Sequence, residues 1–295
     1  MNKTQKSTIL RAMTRDGSAR VLVINSKELV NGMIEVHKPS ATVTAALGRL
    51  ISAASMIGTM LPENGDTLTM NITGDGEIGK MIAVADYFGN VKSYVKNPAA
   101  DPARKPNGKL DVGAAVGAGS ISVIRDVGGS DPQCGTTALV SGEIAEDIAT
   151  YFAKSEQIPT LLSLGVLVNP DHTCRAAGGI LIQLLPFPDD KTVDIIERNA
   201  AELSGVSHLF DSGLSNLDIA SIALKDVPFD VFDTIEVEYK CDCSAKRMRD
   251  KIKALGAGEV KKMLDEQEAE GKARALTAIC RFCNSEYTFE EKELV

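Results

Sequence analysis

Two kinds of hydrophobic periodicity occur along the chain, and they predict short strands and amphipathic helices. Segments in which apolar residues alternate with polar ones, or run together, are typical of strands. They are 19–24, 67–72, 81–86, 91–95, 120–125, 160–168 and 176–185. Apolar residues at helical spacing after a polar capping residue predict helices near 26–34, 41–61, 141–155, 189–203 and 212–224. Because the strands come in runs with helices elsewhere, the pattern indicates an α+β fold.

The segment 41–61 is the longest apolar stretch of the chain, with Ser40 as its predicted cap. It is interrupted by Arg49 and contains many Ala, Gly, Ser and Thr residues. A membrane span needs about 20 predominantly apolar residues, and this composition fits a buried core helix better. We therefore expect no membrane interaction, and a helix central to the N-terminal domain.

A glycine-rich segment between two predicted strands imitates a phosphate-binding loop. It reads Gly74-Asp75-Gly76-Glu77-Ile78-Gly79-Lys80, but Met81 stands where a phosphate-binding loop needs Ser or Thr. Such loops also need a following helix whose N-terminal amides face the phosphate, and the residues that follow are strand-like. We interpret the glycines as a hairpin turn.

The predicted elements divide the chain into three parts. Pro186-Phe187-Pro188 ends a mixed sheet-and-helix core domain, 1–186. Two short amphipathic helices follow in a helical linker, 187–233, and a small C-terminal zinc-binding domain occupies 234–295. Short helices owe their stability to packing, so the linker helices are able to detach if that packing is lost.

Four cysteines near the C-terminus form two close pairs, Cys241-Asp242-Cys243 and Cys280-Arg281-Phe282-Cys283, with 36 residues between the pairs. A C-x-C and a C-x-x-C together supply four sulfurs, which complete a tetrahedral zinc site without a water ligand. Strand-like runs at 234–239 and 287–289 adjoin the two pairs. The sequence therefore predicts one Zn²⁺ per chain, held by Cys241, Cys243, Cys280 and Cys283.

Three other interpretations of these cysteines stay open: free core thiols, structural disulfides, and a thioredoxin-like redox motif at Cys280 and Cys283. Free thiols seldom come as two close pairs, and nothing marks the chain as secreted. A thioredoxin-like motif opens a helix, whereas Asn284-Ser285-Glu286 leads into a strand-like run.

Composition and charge limit the classes of function. The chain has 295 residues, 44% of them hydrophobic, a net charge of −8, and no apolar signal segment after its first residues. A general nucleic-acid-binding protein is usually basic, so we expect no nucleic-acid partner and a cytoplasmic location with reduced thiols. One basic cluster stands out, which we interpret as a solvated helix face: Lys246, Arg247, Arg249, Lys251 and Lys253.

The remaining reactive side chains form no convincing catalytic group, so we predict that the protein is not an enzyme. Cys134 and Cys174 are isolated in the sequence, and free cysteines are often buried, so we interpret both as buried spectator thiols. Asp171 and His172 precede Cys174, but they lie in a proline-containing turn with no oxyanion site.

Zinc-bound thiolates can act as a switch. They stay deprotonated at neutral pH, and the thiolate is the form that attacks an oxidant. Oxidation of Cys280 and Cys283 to a disulfide removes two ligands and should release the metal, which would unfold the small domain and loosen the linker helices. The alternative is a permanently closed zinc that only stabilises the domain.

The cysteine segments Tyr239-Lys240-Cys241-Asp242-Cys243-Ser244 and Cys280-Arg281-Phe282-Cys283-Asn284 closely resemble those of the heat-shock protein 33 family of redox-regulated holdase chaperones. The resemblance covers nearly the whole chain. It includes Pro39-Ser40-Ala41-Thr42 with Ala45-Ala46-Leu47-Gly48-Arg49, Gly74-Asp75-Gly76 with Ile78-Gly79, and Ser141-Gly142-Glu143-Ile144-Ala145-Glu146-Asp147.

The resemblance implies an ATP-independent chaperone that is inactive when reduced and zinc-bound. It implies that the four cysteines bind zinc, that oxidation forms the disulfides Cys241–Cys243 and Cys280–Cys283, and that the linker then unfolds. The partners it implies are unfolded client proteins, and the active form is a homodimer. A zinc-stabilised module associated with nucleic acid or the ribosome, and a thiol–disulfide oxidoreductase, are the alternative functions.

Overall fold

The structure, a computed structural model, describes residues 6–129 and 131–294. The chain forms two compact units, Met1–Lys240 and Cys241–Val295. The strands of the first unit are β1 (Ser7–Thr14), β2 (Ala19–Asn25), β3 (Thr67–Gly74), β4 (Lys80–Asp86), β5 (Val91–Val95), β6 (Gly119–Asp126), β7 (Gln133–Ala138), β8 (Thr160–Val168), β9 (Cys174–Leu184) and β10 (Phe229–Val237).

The helices of the first unit are α1 (Lys27–His37), α2 (Ala41–Gly58), α3 (Val112–Val116), α4 (Ala145–Tyr151), α5 (Asp190–Ala200), α6 (Val206–Asp211) and α7 (Asn216–Ala223). A π-helical turn at Phe152–Glu156 extends α4, and a 3₁₀ turn at Ala201–Leu203 extends α5. The second unit contains α8 (Ala245–Lys253), α9 (Ala257–Ala269), β11 (Ala275–Ile279), β12 (Glu286–Glu290) and α10 (Glu291–Leu294).

Two five-stranded sheets form the first unit, in the orders β10-β1-β2-β9-β8 and β5-β4-β3-β6-β7. All the neighbouring strands in both sheets are antiparallel. Antiparallel sheets with helices packed on them confirm the predicted α+β class.

Helix α2 is the centre of the larger hydrophobic core. Every residue of α2 except Ala41 and Arg49 is buried, and its N-terminus is capped as predicted by Ser40, whose Oγ accepts a hydrogen bond from the Val43 N–H at 3.1 Å. Gly58 permits close packing, because a Cβ there would lie 2.7 Å from the carbonyl oxygen of Asp86. The helix is long and apolar enough to cross a membrane, but 89% of it is buried within the protein.

The glycine-rich segment forms the turn between β3 and β4, as the sequence predicted. The Gly74 N–H donates to the carbonyl oxygen of Gly79 at 2.8 Å, and Lys80 begins the next strand rather than a helix. The glycines also allow close packing on α3, since a Cβ at Gly74 would lie 1.9 Å from the carbonyl oxygen of Val116. A strand therefore follows this loop where a phosphate-binding loop needs a helix N-terminus.

Three predictions about elements of the first unit were wrong or incomplete. The sequence analysis assigned no strand to β1 or β7: β1 pairs with β10 from a distant part of the chain, and β7 is a mostly exposed edge strand. The short helix α3 lies within a segment that gave no helical pattern. Helix α4 begins at Ala145 rather than Ser141.

The strand leading to the first cysteine pair belongs to the first unit, which corrects the predicted boundary between residues 233 and 234. It begins at Phe229 and pairs along its length with β1, for example Ile235 with Ile9. The boundary between the two units falls after Lys240. Strand β10 completes one edge of the first sheet and so belongs to the first unit.

The segment predicted as a linker forms a packed layer on one face of the first sheet. Helices α5, α6 and α7 bury apolar side chains against β2 and β9 in a second hydrophobic cluster: Ile196, Leu203, Val206, Phe210, Ile219, Ala220, Ala223 and Leu224. The contact is close, because a Cβ at Gly178 of β9 would lie 2.1 Å from the ring of Phe210. Each helix has 11 residues or fewer, so this burial is its main source of stability.

The loop before α4 is organised around the fully buried carboxylate of Asp147. Its oxygens accept hydrogen bonds from the backbone N–H groups of Val140 at 2.7 Å, Ser141 at 3.0 Å, Gly142 at 3.2 Å and Ile144 at 2.9 Å. These bonds hold Ile144 at a φ of 75°, which a β-branched residue rarely adopts. The Ser141-to-Asp147 motif therefore has a structural role.

Replacing Asp147 with Ala leaves four backbone N–H groups without their acceptor. We expect it to lower the free energy of unfolding by about 3 kcal/mol or more, since bonds to ionised groups contribute about 1.5–3 kcal/mol each. Urea unfolding followed by circular dichroism measures this. The matched control is Glu146→Ala, an exposed neighbour on the same helix, which should change stability by less than about 0.5 kcal/mol. Equal effects from the two variants would contradict the role given to Asp147.

Candidate metal centre

Two loops of the second unit carry the four cysteines. Cys241 and Cys243 lie immediately before α8, whose N-terminus is capped by the Ser244 hydroxyl. Cys280 and Cys283 lie in the turn between β11 and β12. The turn closes on itself, since the Cys280 N–H donates to the carbonyl oxygen of Ser285 at 2.9 Å and the Asn284 N–H donates to that of Cys280 at 2.7 Å. A C-x-x-C turn between two strands does not have the geometry of a thioredoxin-like motif, which opens a helix.

The structure brings all four predicted ligands together. Their sulfur atoms all lie within 4.8 Å of one another. Cys243 and Cys283 are 3.3 Å apart, and Cys241 and Cys280 are 3.7 Å apart. Four sulfurs at about 2.3 Å from a tetrahedral zinc ion would be about 3.8 Å apart. The cluster therefore has the size and the ligand type of a closed zinc site, and these four residues could hold a metal ion.

Sulfur contacts join the two cysteine pairs, Cys241 with Cys280 and Cys243 with Cys283. The resemblance implied disulfides within each pair, Cys241–Cys243 and Cys280–Cys283. In a tetrahedral cluster every sulfur is a neighbour of the other three, so the geometry favours neither pattern. The disulfide pairing stays a prediction.

The local environment perturbs the thiols in opposite directions. Burial raises the pKa of the Cys241 thiol, and it also raises the pKa of Cys243. Burial acts in the same direction on Cys283, but hydrogen bonding with the side chain and backbone of Ser285 outweighs it and lowers that pKa to about 7. A bound divalent cation adds the largest local charge and keeps coordinating thiols deprotonated.

Two hydroxyl groups adjoin the sulfur cluster, and the sequence analysis gave them no role. The Tyr287 hydroxyl is 3.1 Å from the Cys243 sulfur, and the Ser285 hydroxyl is 3.2 Å from the Cys283 sulfur. The hydrogen bond to Cys243 raises the pKa of the Tyr287 phenol to about 12. Tyr287 was recognised as part of a strand, but only the folded hairpin places its hydroxyl beside a cysteine from the other loop.

The other two cysteines lie outside the cluster. Cys174 is buried at the start of β9 as predicted, and burial raises the pKa of its thiol to about 12. Cys134 is exposed on edge strand β7, so the prediction that it is buried was wrong. The reason is that β7 lies at the edge of its sheet and is mostly exposed.

The basic cluster of the second unit follows the exposed side of α8. The apolar residues Met248 and Ile252 of α8 pack against the small core of the second unit. The Arg247 guanidinium pairs with the Asp242 carboxylate. Lys246, Lys251 and Lys253 are exposed. The cluster is the solvated face that the sequence indicated.

Comparison with known proteins shows which family this chain resembles. The family model described as Hsp33 protein matches residues 7–290. The 33 kDa chaperonin of Alkaliphilus metalliredigens is 38% identical over 289 residues, which cover 98% of this chain and 97% of that protein. The 33 kDa chaperonin of Clostridioides difficile is 39% identical over 288 residues, covering 97% of each chain.

A solved structure has the same fold. The crystal structure of the 33 kDa chaperonin (heat shock protein 33 homolog) from Thermotoga maritima aligns with a TM-score of 0.88 at 33% identity, covering 98% of this chain and 97% of the other. The family match, the two relatives and the shared fold all extend over nearly the whole chain. The chain therefore belongs to the Hsp33 family, and it is a molecular chaperone.

Proposed function

We propose that this chaperone is a redox-switched holdase that binds unfolding proteins without ATP, and only after its cysteines are oxidised. The observation that carries the proposal is the cluster of four sulfurs within 4.8 Å in a unit with a very small core. Zinc supplies no redox chemistry, only a charge that holds the four thiolates together. The cysteine sulfurs are the groups that react with the oxidant.

The second unit depends on its sulfur cluster for stability. Among the residues of this unit that the structure describes, the buried hydrophobic cluster consists of Val260, Leu264, Leu276, Phe289 and Leu294. Structural zinc contributes about 10–16 kcal/mol of apparent binding free energy to small domains, which is as large as the stability of many whole proteins. When two thiolates form a disulfide, they give two electrons to the oxidant and leave the metal. Loss of the metal then unfolds the unit.

The layer of α5, α6 and α7 is the segment whose release would create a client-binding surface. The helices cover apolar residues of the first sheet that include Val21, Val23 and Ile180. Detachment would expose both the sheet face and the apolar sides of the helices. Large exposed apolar patches bind other proteins by the hydrophobic effect, and this contact needs no nucleotide. The same surface would also support pairing of two chains in the active homodimer.

The connection between this layer and the cysteines runs through β10 and the three residues after it. Tyr239 is anchored on β5, where its hydroxyl lies 3.0 Å from the Ser93 hydroxyl. The Lys240 N–H donates to the carbonyl oxygen of Val91 at 2.8 Å. The chain is therefore held on the first unit up to the residue before Cys241. Loosening that starts at Cys241 would reach α7 by way of β10.

One prediction of the proposed function is that metal release and chaperone activity occur together. When the reduced, zinc-loaded protein is treated with hypochlorous acid, zinc should appear on a chelating dye as suppression of client aggregation develops, without ATP. In Cys280→Ser, activity should no longer depend on the oxidant because the cluster has lost a ligand. Cys134→Ser, which changes an exposed cysteine outside the cluster, should behave like the parent chain. Zinc release with no change in aggregation would contradict the proposal.

Another prediction concerns metal removal without oxidation. A strong chelator should unfold the second unit, because its five-residue hydrophobic cluster cannot replace the lost metal. Limited proteolysis should then cleave within residues 241–295 and leave a fragment that ends near residue 240. The zinc-loaded protein, digested in parallel, serves as the control. A second unit that stays resistant after complete metal removal would show that it folds without the metal.

A further prediction tests the layer of α5, α6 and α7. Ile219→Ala removes a fully buried side chain from α7 and should destabilise the layer by about 2–5 kcal/mol. The reduced, zinc-loaded variant should then suppress aggregation without oxidant. Leu217→Ala changes a residue of the same helix that is 48% exposed, and it should leave the reduced protein inactive. If both reduced variants are inactive while α7 is shown to be loosened by hydrogen exchange, the client surface lies elsewhere.

A further inference from the structure

A cavity of about 760 Å³ opens in the first unit, between the loop before α3, the edge strand β8 and the start of α6. All of its lining residues belong to the first unit. Sites for small molecules have volumes of about 300–1,000 Å³, so the cavity has the size of such a site. The redox function proposed above gives its polar residues no role.

The charged side chains that line the cavity are mostly cationic. Four cationic side chains and two carboxylates line it, namely Arg49, Arg104, Lys105 and Lys109 with Asp101 and Glu143. The cavity therefore has a net charge of +2 with its histidines neutral, whereas the whole chain has a net charge of −8. A cavity of positive charge on an acidic protein concentrates anions near its entrance.

Both carboxylates of the cavity are already bonded to other groups. The Thr42 hydroxyl donates to Asp101 at 2.7 Å, and Glu143 accepts hydrogen bonds from Arg49 at 2.6 Å and from Lys105 at 2.5 Å. Burial acts to raise the pKa of Glu143, but these bonds outweigh it and lower that pKa. Glu143 is therefore ionised, and the two carboxylates cannot also balance the remaining cations.

The remaining cations are Arg104 and Lys109. The Arg104 guanidinium donates to a neutral acceptor, the carbonyl oxygen of Gly108, at 3.2 Å. Lys109 is exposed. Guanidinium and ammonium groups are the usual partners of phosphate oxygens in proteins, because their hydrogen bonds are strengthened by charge. These two side chains are available to a ligand in the cavity.

Three of the four cations come from one tight turn, residues 104–109. The Lys105 N–H donates to the carbonyl oxygen of Lys109 at 2.9 Å, and the Gly108 N–H donates to that of Lys105 at 2.8 Å. The turn is joined to α2 through Asp101 and to the loop before α4 through the ion pair of Lys105 with Glu143. Cations that are already held together by the fold bind an anion at a lower cost in conformational entropy.

Another wall of the cavity belongs to the helical layer. Gly205, Ser207 and His208 line the cavity at the start of α6. Helix α6 lies close to β8, because a Cβ at Gly165 would lie 2.6 Å from the Ser207 hydroxyl oxygen. The cavity is therefore bordered both by the outer layer of α5, α6 and α7 and by elements of the main core. A ligand that contacts both sides would join α6 to the rest of the unit.

We propose that this cavity binds a small phosphate-type anion with two or more negative charges, which joins the turn of residues 104–109 to α6 and stabilises the helical layer. Lys109 and Arg104 would bind its oxygens from the turn, and His208 would bind it from α6. Because the anion binds only the closed arrangement, it would shift the opening of the layer by mass action. This inference concerns a ligand site, needs no oxidant and goes beyond the proposed redox function.

The test uses inorganic pyrophosphate as the probe, in a buffer without divalent cations. It is titrated into the reduced, zinc-loaded, full-length chain by isothermal titration calorimetry at constant ionic strength, with acetate as the monovalent comparison. The variant is Lys109→Glu, which reverses the charge of an exposed residue of the turn. The matched control is Lys251→Glu, which reverses the charge of an exposed lysine on α8 and changes the net charge equally.

We expect the parent chain to bind pyrophosphate more tightly than acetate. Lys109→Glu should raise the Kd for pyrophosphate by about fivefold or more, because an attraction at short range becomes a repulsion, and Lys251→Glu should bind like the parent. Absence of binding by the parent, or equal affinity for acetate, overturns the inference. Equal weakening in the two variants also overturns it, since this shows a response to net charge alone.

Hydrogen exchange tests the contact with α6. At a pyrophosphate concentration of about ten times the Kd, exchange in residues 205–211 of the parent chain should slow by up to about tenfold. At the same concentration, Lys109→Glu should show a smaller effect. Binding that leaves exchange in this segment unchanged overturns the proposed connection to α6. None of these measurements involves an oxidant or a client protein, so they succeed or fail independently of the proposed redox function.

Discussion

The small core of the second unit is the constraint on which the rest of the protein's behaviour depends. Five buried apolar side chains cannot offset the conformational entropy lost when residues 241–295 become ordered. Four sulfurs from two loops lie together in this unit, and in the proposed function a bound zinc ion supplies the remaining stability. Under that proposal the unit responds to oxidation as a whole, because the sulfurs that react are also the groups that hold it folded.

The first unit differs from the second because it contains two separate hydrophobic clusters of buried residues. Helix α2 is buried along nearly its full length in the larger core, whereas α5, α6 and α7 form a single layer of short helices on one face of the first sheet. Loss of the outer layer would leave the inner core intact. The proposed holdase activity requires this difference, since the protein would have to expose apolar surface without unfolding completely.

Two hydroxyl groups lie beside the sulfurs of the cluster. Ser285 and Tyr287 contact one sulfur each, and both lie within four residues of Cys283 in the chain. A hydroxyl bond to a thiolate changes reactivity without changing the ligand set.

The sequence alone determined the local features of this protein. The alternation of apolar residues identified β2, β3, β4, β5, β8 and β9, the small-residue pattern identified α2, and the spacing of Cys241, Cys243, Cys280 and Cys283 identified the cluster. The tertiary structure decided what depends on partners distant in the chain. Strand β1 is defined by its pairing with β10, for example Ser7 with Val237. The same pairing places β10 in the first unit, which ends at Lys240. The contact of Tyr287 with Cys243 likewise joins two loops that only folding brings together, because periodicity records which face a residue presents and not which residue lies opposite.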